Sequence, residues 1–362
     1  MPDETTRNRA RGQPRAANAP PGDVKMVNLA LQGGGSHGAF TWGVIDRLLE
    51  EPRFAIEGIS ATSAGAMNAT VFAYGMAIGG RDGAKAKLHE FWKKISDAAK
   101  SSPLQPTPWD KMTGNDALEK SPAYIIFDML SRLMSPYQLN PMNLNPLKDV
   151  LTKVVDFSKL GPATCPVKLF LSATNVRTGR VKIFTNEEIA RLGADTAMAS
   201  ACLPFMAQTV VIEGEPFWDG GYMGNPAIYP LIYHCDSRDV MIVHINPIIR
   251  EGIPKTAGEI MNRLNELSFN SSLMREMRAI HFVSTLVDTH EVSGRPLKRM
   301  LLHAVAAEKE MSSFSVASKL NADWDFLMKL HEIGRRHADV WLAANFDKVG
   351  TESSVDIKTA YL

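Results

Sequence analysis

From Val27 onward, short apolar runs and amphipathic stretches follow one another, the pattern of strands and helices in alternation. Val27-Asn28-Leu29-Ala30-Leu31-Gln32 reads as a short, mostly buried strand. It runs into Gly33-Gly34-Gly35-Ser36-His37-Gly38, and a helix pattern follows with Phe40, Val44, Ile45, Leu48 and Leu49 on one face. Pro52 ends that helix. Phe54 to Ser60 reads as a second strand, closing on Ala61-Thr62-Ser63-Ala64-Gly65, where a small-residue helix starts at once. Strand, glycine loop, helix, strand, sharp turn and helix describe a parallel, right-handed βαβ unit.

The regular pattern breaks over residues 101–150. This stretch holds Pro103, Pro106, Pro108, Pro122, Pro136, Pro141 and Pro146, together with Met112, Met129, Met134 and Met142. Proline breaks helices and methionine suits adaptable apolar surfaces, so an irregular insertion is expected, serving as scaffold, mobile cover or apolar wall. The α/β pattern resumes with strands at Val167–Thr174 and Arg180–Phe184 and a helix near Glu187–Ala190. Thr209–Ile212 and Pro216–Trp218 flank Glu213-Gly214-Glu215 as a hairpin. Val240–Ile245 is a further buried strand, stopped by Pro247. Beyond it the spacing of Ile260, Leu264, Leu267, Met274, Met277, Ile280 and Val283, and later of Trp324, Leu327, Leu330 and Ile333, is helical. The expected organisation is a disordered tail over 1–25, then one α/β unit over 26–362. Within it, 26–250 forms the core with its 101–150 insertion, and 251–362 forms a helical region packed against that core.

Composition narrows the function. Forty Lys and Arg against 39 Asp and Glu leave a net charge of +1, so no basic field gathers nucleic acid. No apolar stretch reaches the ~18 residues of a spanning helix. Cys165, Cys202 and Cys235 are sparse and far apart, which argues against a disulfide framework or a cysteine metal site. A reducing cytoplasm is the default expectation; no motif clusters His, Cys or carboxylate ligands at metal spacing, so no metal is expected, and no cofactor is expected either.

Ser63 occupies the position of a nucleophile elbow, where a strand turns sharply into a helix and the residues two before and two after must be small. Ala61 and Gly65 meet that demand. The same serine could instead cap the helix that follows. Gly33, Gly35 and Gly38 satisfy the dinucleotide fingerprint, yet the second strand ends without the acidic residue that would bind ribose. The alternative is an oxyanion hole, with the Gly34 and Gly35 N–H groups turned toward a developing negative oxygen. Strands of a parallel sheet end at one edge, so this loop and Ser63 can meet there. Asp219, in Trp218-Asp219-Gly220-Gly221, is either a base presented by a glycine turn or a plain Asp-Gly turn.

Taken together, these residues resemble the patatin-like phospholipases. The glycine loop at Gly33 to Gly38, the serine at Ser63 and the Asp219-Gly220-Gly221 turn occur in that family's order, as does Ala199-Ser200-Ala201-Cys202-Leu203-Pro204 upstream of the aspartate. The resemblance covers roughly residues 26–250. It implies a three-layer α/β/α fold with a mostly parallel sheet and hydrolysis of lipid acyl esters without a metal. It further implies a Ser63–Asp219 dyad without histidine and an oxyanion loop of Gly33, Gly34 and Gly35, with Ala61, Gly65, Gly220 and Gly221 as support. Ala61 stands where the family usually has glycine, and His37 where a basic residue is frequent. Leu267-Ser268-Phe269-Asn270-Ser271-Ser272 is similar to a bacterial subgroup linked to polyhydroxybutyrate metabolism. The partner so implied is a lipid or acyl ester, with peripheral contact to a membrane or lipid granule.

A Ser-His-Asp hydrolase is the nearby rival, but none of His234, His244, His281, His290, His303, His331 and His337 sits in a recognisable loop motif. His244 and His281 read as hydrogen-bonded core residues. A catalytically silent lipid-binding protein, and a dinucleotide-binding protein using the same glycine loop, are the alternatives from other classes.

Overall fold

A computed structural model of the chain describes residues 24–100, 102, 104–105, 118–289 and 297–362. All but the last two residues of the tail expected over 1–25 lie outside these, as do 101, 103 and 106–117 of the insertion.

β1 (Lys25–Leu31) leads through the glycine loop into α1 (Gly38–Leu48), and β2 (Phe54–Ala61) leads almost directly into α2 (Ala64–Ala99). The two strands pair in parallel with Leu31 opposite Ala61, so both turns leave the same edge of the sheet. α2 is broken at Gly79 and Gly80, where φ is −155° and 60°. Its halves fold back on each other: a Cβ on Gly75 would lie 2.4 Å from the Cα of Ala84, an approach open only to glycine. Trp92 in the second half donates from Nε1 to Asn68 Oδ1 in the first, at 2.9 Å.

The described part of the insertion is more regular than expected. It holds α3 (Pro122–Leu133), α4 (Pro136–Leu139) and α5 (Pro146–Val154), each beginning at a proline. The ring's fixed φ and missing N–H suit the first helical position, so these prolines start helices rather than break them. α5 buries Val150, Leu151 and Val154. α3 buries none of its side chains, and Ile125, Ile126, Met129 and Leu133 are exposed.

β3 (Lys168–Asn175) and β4 (Val181–Thr185) come next, then α6 (Asn186–Leu192) and α7 (Ala194–Ser200). The hairpin expected around Gly214 is β5 (Val210–Ile212) with β6 (Glu215–Asp219), paired antiparallel. α8 (Tyr229–His234), β7 (Asp239–Val243) and α9 (Ala257–Asp288) follow. The region expected to be wholly helical contains β8 (Leu301–Val305) before α10 (Glu308–Ser313), α11 (Trp324–Asn345) and α12 (Ile357–Tyr361). β8 pairs parallel to β7 and completes the sheet, whose order is β5-β6-β3-β2-β1-β7-β8 with β4 also on β3. The stretch from β3 to β8 is parallel, and β4, β5 and β6 join antiparallel.

Alternation along the central strands builds a layer on each face. Leu29 and Leu31 of β1 and Met241 and Val243 of β7 join one apolar cluster with α1, α2 and α11. Ala30, Val240 and Ile242 join a second with Leu231 of α8, Leu273 and Met277 of α9 and Tyr361 of α12. This is the α/β/α arrangement that the sequence implied. α9 departs from its expected stripe: Met277 and Ile280 are buried, but Ile260, Leu264 and Leu267 are exposed. Among the described residues no helix is long and apolar enough to cross a membrane.

Candidate active site

Ser63 sits between β2 and α2 with φ 55° and ψ −122°, a backbone conformation that residues with side chains rarely adopt. Its side chain makes no capping hydrogen bond, so the hydroxyl is not engaged in starting the helix. The turn is closed by Gly65 N–H to Thr62 O at 2.9 Å and Met67 N–H to Ser63 O at 3.1 Å. A Cβ on Gly65 would lie 2.5 Å from the Leu31 carbonyl oxygen, which explains the glycine two after the serine. Ala61, two before it, is fully buried and paired to Leu31 on one side and Leu171 on the other.

The glycine loop lies directly against this turn. A Cβ on Gly33 would stand 2.5 Å from the Ser63 Cβ, one on Gly34 2.6 Å from Ile245 Cγ2, and one on Gly35 2.4 Å from the Lys319 carbonyl oxygen. The Gly33 N–H donates to Asn225 Oδ1 at 2.7 Å and is thereby held inside the protein. The Gly34 and Gly35 N–H groups meet no acceptor among the described residues. Gly35 has φ +57°, a second reason for glycine there.

Asp219 ends β6 and is completely buried. Its Oδ1 accepts the Gly221 N–H at 2.7 Å, while Oδ2 is buried without a full hydrogen bond from any described residue. Burial pushes its pKa up to about 7; the Gly221 amide and the neighbouring Ser63 hydroxyl pull the other way. The carboxyl and the Ser63 side chain are therefore neighbours, in a contact looser than an ideal hydrogen bond. The two glycines after the aspartate bring backbone close: a Cβ on Gly220 would lie 2.1 Å from Ser172 O, and one on Gly221 1.9 Å from Phe269 Cε1.

The structure thus gathers Ser63, Asp219 and the glycine loop at one sheet edge. It adds residues that the sequence did not single out for the site. Ser200 Oγ accepts the Ser63 N–H at 3.0 Å. Asn225 anchors the Gly33 N–H, and Gln32 Oε1 accepts the Ile245 and Asn246 N–H groups at 2.9 and 3.0 Å. Asn246 Nδ2 donates to the Gly33 carbonyl at 2.8 Å. Ser272 Oγ accepts the Asn225 N–H at 3.2 Å, so α9 supports the same network. The one available signal was that Ser200, Phe269 and Ser272 lie in segments already resembling the family.

His37 is buried, with Nε2 2.8 Å from Ser318 Oγ and its ring beside Phe314 and Phe326. Burial, with Lys319 and Arg250 nearby, holds its pKa well below the usual value, so it offers no positive charge to an anion. His244 bonds Tyr361 through Nε2 at 2.6 Å, as a core histidine does, whereas His281 is only partly buried. His303 lies between Asp239 at 2.9 Å and Ser354 at 3.1 Å. Asp239 opens β7, so this trio belongs to the sheet edge opposite Ser63 and serves to fasten the carboxyl-terminal segment. Among the described residues no group of three or more His, Cys, Asp or Glu is placed to hold a metal.

Fold and site together define a three-layer α/β protein with a serine elbow, a buried aspartate and a glycine loop at one sheet edge. The chain belongs to the patatin-like phospholipase family, whose model matches residues 29–232. No curated protein matches it. Among solved structures it is similar to VipD from Legionella pneumophila, at 17% identity and a TM-score of 0.38, over 86% of this chain and 67% of that one. It is also similar to the type III effector ExoU, at 12% identity and a TM-score of 0.27, over 86% of this chain and 54% of that one. A third similar structure is full-length SpcU in complex with full-length ExoU from Pseudomonas aeruginosa, at 14% identity and a TM-score of 0.27, over 94% of this chain and 76% of that one.

Proposed function

We propose that this member of a lipid-hydrolase family cleaves carboxylic esters of lipids with Ser63 as nucleophile and Asp219 as base. The observation that carries this reading is the strained Ser63 beside a fully buried carboxyl whose pKa lies near neutrality. In the first half-reaction Asp219 takes the Ser63 hydroxyl proton while Oγ bonds to the acyl carbon. The carbonyl oxygen becomes an anion beside the Gly34 and Gly35 N–H groups. Each such donor typically contributes ~3–4 kcal/mol to the transition state. The tetrahedral carbon then expels the alcohol, which takes the proton from Asp219, leaving acyl-Ser63. In the second half Asp219 accepts a proton from water, the resulting hydroxide attacks the acyl carbon, and Ser63 leaves with that proton as the acid is released.

The free thiols of Cys165, Cys202 and Cys235 suit action in a reducing cytoplasm, at the surface of a membrane or lipid granule. The test is labelling with a fluorophosphonate, followed by hydrolysis across a panel of lipid esters, with Ser63→Ala as control. Labelling at Ser63 and ester turnover, both lost in the variant, are expected. An unlabelled protein that still binds lipid would make this a silent lipid-binding protein, and nucleotide binding without hydrolysis would return the glycine loop to the dinucleotide reading.

A further inference from the structure

The segment 317–320 lies outside the family-matched residues 29–232, yet it touches the glycine loop twice and reaches it a third time through Asn246. Ser318 Oγ meets His37 Nε2 at 2.8 Å, and the Lys319 carbonyl oxygen packs where a Cβ on Gly35 would stand. Lys319 Nζ donates to Asn246 Oδ1 at 2.8 Å. The other end of that amide, Nδ2, donates to the Gly33 carbonyl at 2.8 Å. Lysine can only donate and a carbonyl can only accept, so the amide's orientation is forced.

The Gly33 carbonyl belongs to the same peptide as the Gly34 N–H. A trans peptide is planar and points its oxygen and hydrogen in opposite directions. A hydrogen bond at the Gly33 oxygen therefore fixes where the Gly34 N–H aims. It also polarises that N–H, since hydrogen bonds in series strengthen one another in a low-dielectric site. The ammonium group stands at the far end of this series. Glu266, the acid nearest in its influence, is already bonded to Arg250 and Arg263, and no carboxylate among the described residues lies within ion-pair distance of Lys319. Burial lowers the lysine pKa to about 8, which still leaves it mainly protonated at neutral pH.

We propose that Lys319 is a positioning residue of the oxyanion loop: its charge acts through the Asn246 amide and the Gly33–Gly34 peptide on the anion formed during ester cleavage. Lys319 does not touch substrate in this scheme. The inference rests on the proposed serine hydrolase chemistry and extends it to a part of the chain outside the family match.

The experiment compares Lys319→Met, Lys319→Arg, Asn246→Ala and the Met/Ala double variant in ester hydrolysis, with folding checked by thermal melting. An interaction realised only in the transition state lowers kcat with little change in KM. Lys319→Met should lower kcat ~10–100-fold, somewhat less than loss of a direct oxyanion donor, with KM within about 3-fold. A boronic acid, whose serine adduct carries the anion, should bind correspondingly less tightly to Lys319→Met. Lys319→Arg should recover most of the loss. The double variant should be no worse than Asn246→Ala, because residues acting in series are not additive. Unchanged kcat in a folded Lys319→Met, or additive losses in the double variant, would overturn the proposal. Ser63→Ala in the same assay separates the two levels: if it keeps activity, the hydrolase reading itself fails. If it is inactive while Lys319→Met is fully active, only the relay fails.

Discussion

Replacing Asp219 by asparagine should remove activity and yet strengthen the fold at alkaline pH. The carboxyl is completely buried, and burial raises its pKa from 3.8 to about 7. It therefore binds a proton more tightly in the folded chain than in the unfolded one. Its contribution favours folding below the unfolded pKa and is lost as pH rises through about 7. At pH 8 the ionised carboxylate weakens the fold by about 4 kcal/mol relative to a group that does not titrate. Asparagine keeps an Oδ1 acceptor for the Gly221 N–H, which now bonds at 2.7 Å, and presents an amide where Oδ2 is unpartnered. If that buried amide finds only a loose partner in Ser63, it gives back about 1–3 kcal/mol. The net gain at pH 8 is then roughly 1–3 kcal/mol. The difference between pH values is independent of that penalty: from pH 5 to pH 8 the wild type should lose about 2–3 kcal/mol relative to the variant. Glu276, whose pKa is also pushed up to about 7 by burial, titrates in both proteins and cancels in the comparison. Urea unfolding of both proteins across this range measures the effect, alongside kcat/KM. The wild-type activity should rise with pH through about 7 as the base ionises. Stability curves that run parallel across the range would show that Asp219 does not titrate near neutrality. Near-full activity in Asp219→Asn would remove it as the base.

Four further substitutions probe the elbow and loop. Gly33→Ala should abolish fluorophosphonate labelling in a protein that still folds, because its Cβ would lie 2.5 Å from that of Ser63; normal labelling would mean that the loop does not press on the serine. Ser200→Ala leaves the buried Ser63 N–H without its acceptor and should lower stability by about 1–3 kcal/mol, with a clear loss of turnover, read by denaturant unfolding and ester assay. Ala61→Val inserts a branched side chain at a fully buried strand position between Leu31 and Leu171 and should damage both folding and activity. Ala61→Gly should leave activity within a few-fold, and full activity in Ala61→Val would argue against a tight turn at Ser63.

The sequence by itself determined the parts of this protein that depend on neighbours along the chain. Gly33 to Gly38, Gly65 and Gly220-Gly221 marked places where a side chain has no room, and the flanking apolar runs placed them between strand and helix. Parallel pairing then followed from strand–helix alternation, and so did the meeting of the loop with Ser63. Tertiary structure alone decided the rest. β8 is five residues long, too short for its period to tell a buried strand from a helical turn. The prolines at 122, 136 and 146 were ambiguous because the same ring that interrupts a helix suits its first position. Asn225, Asn246 and Lys319 carry no local signature: Asn246 finds Gly33 across 213 residues of chain, and Lys319 finds Asn246 across 73. A polar side chain acquires such a role only when folding removes water and leaves one partner within reach. The near-neutral pKa of Asp219 has the same origin, since burial is a property of the packed chain rather than of the residues beside it.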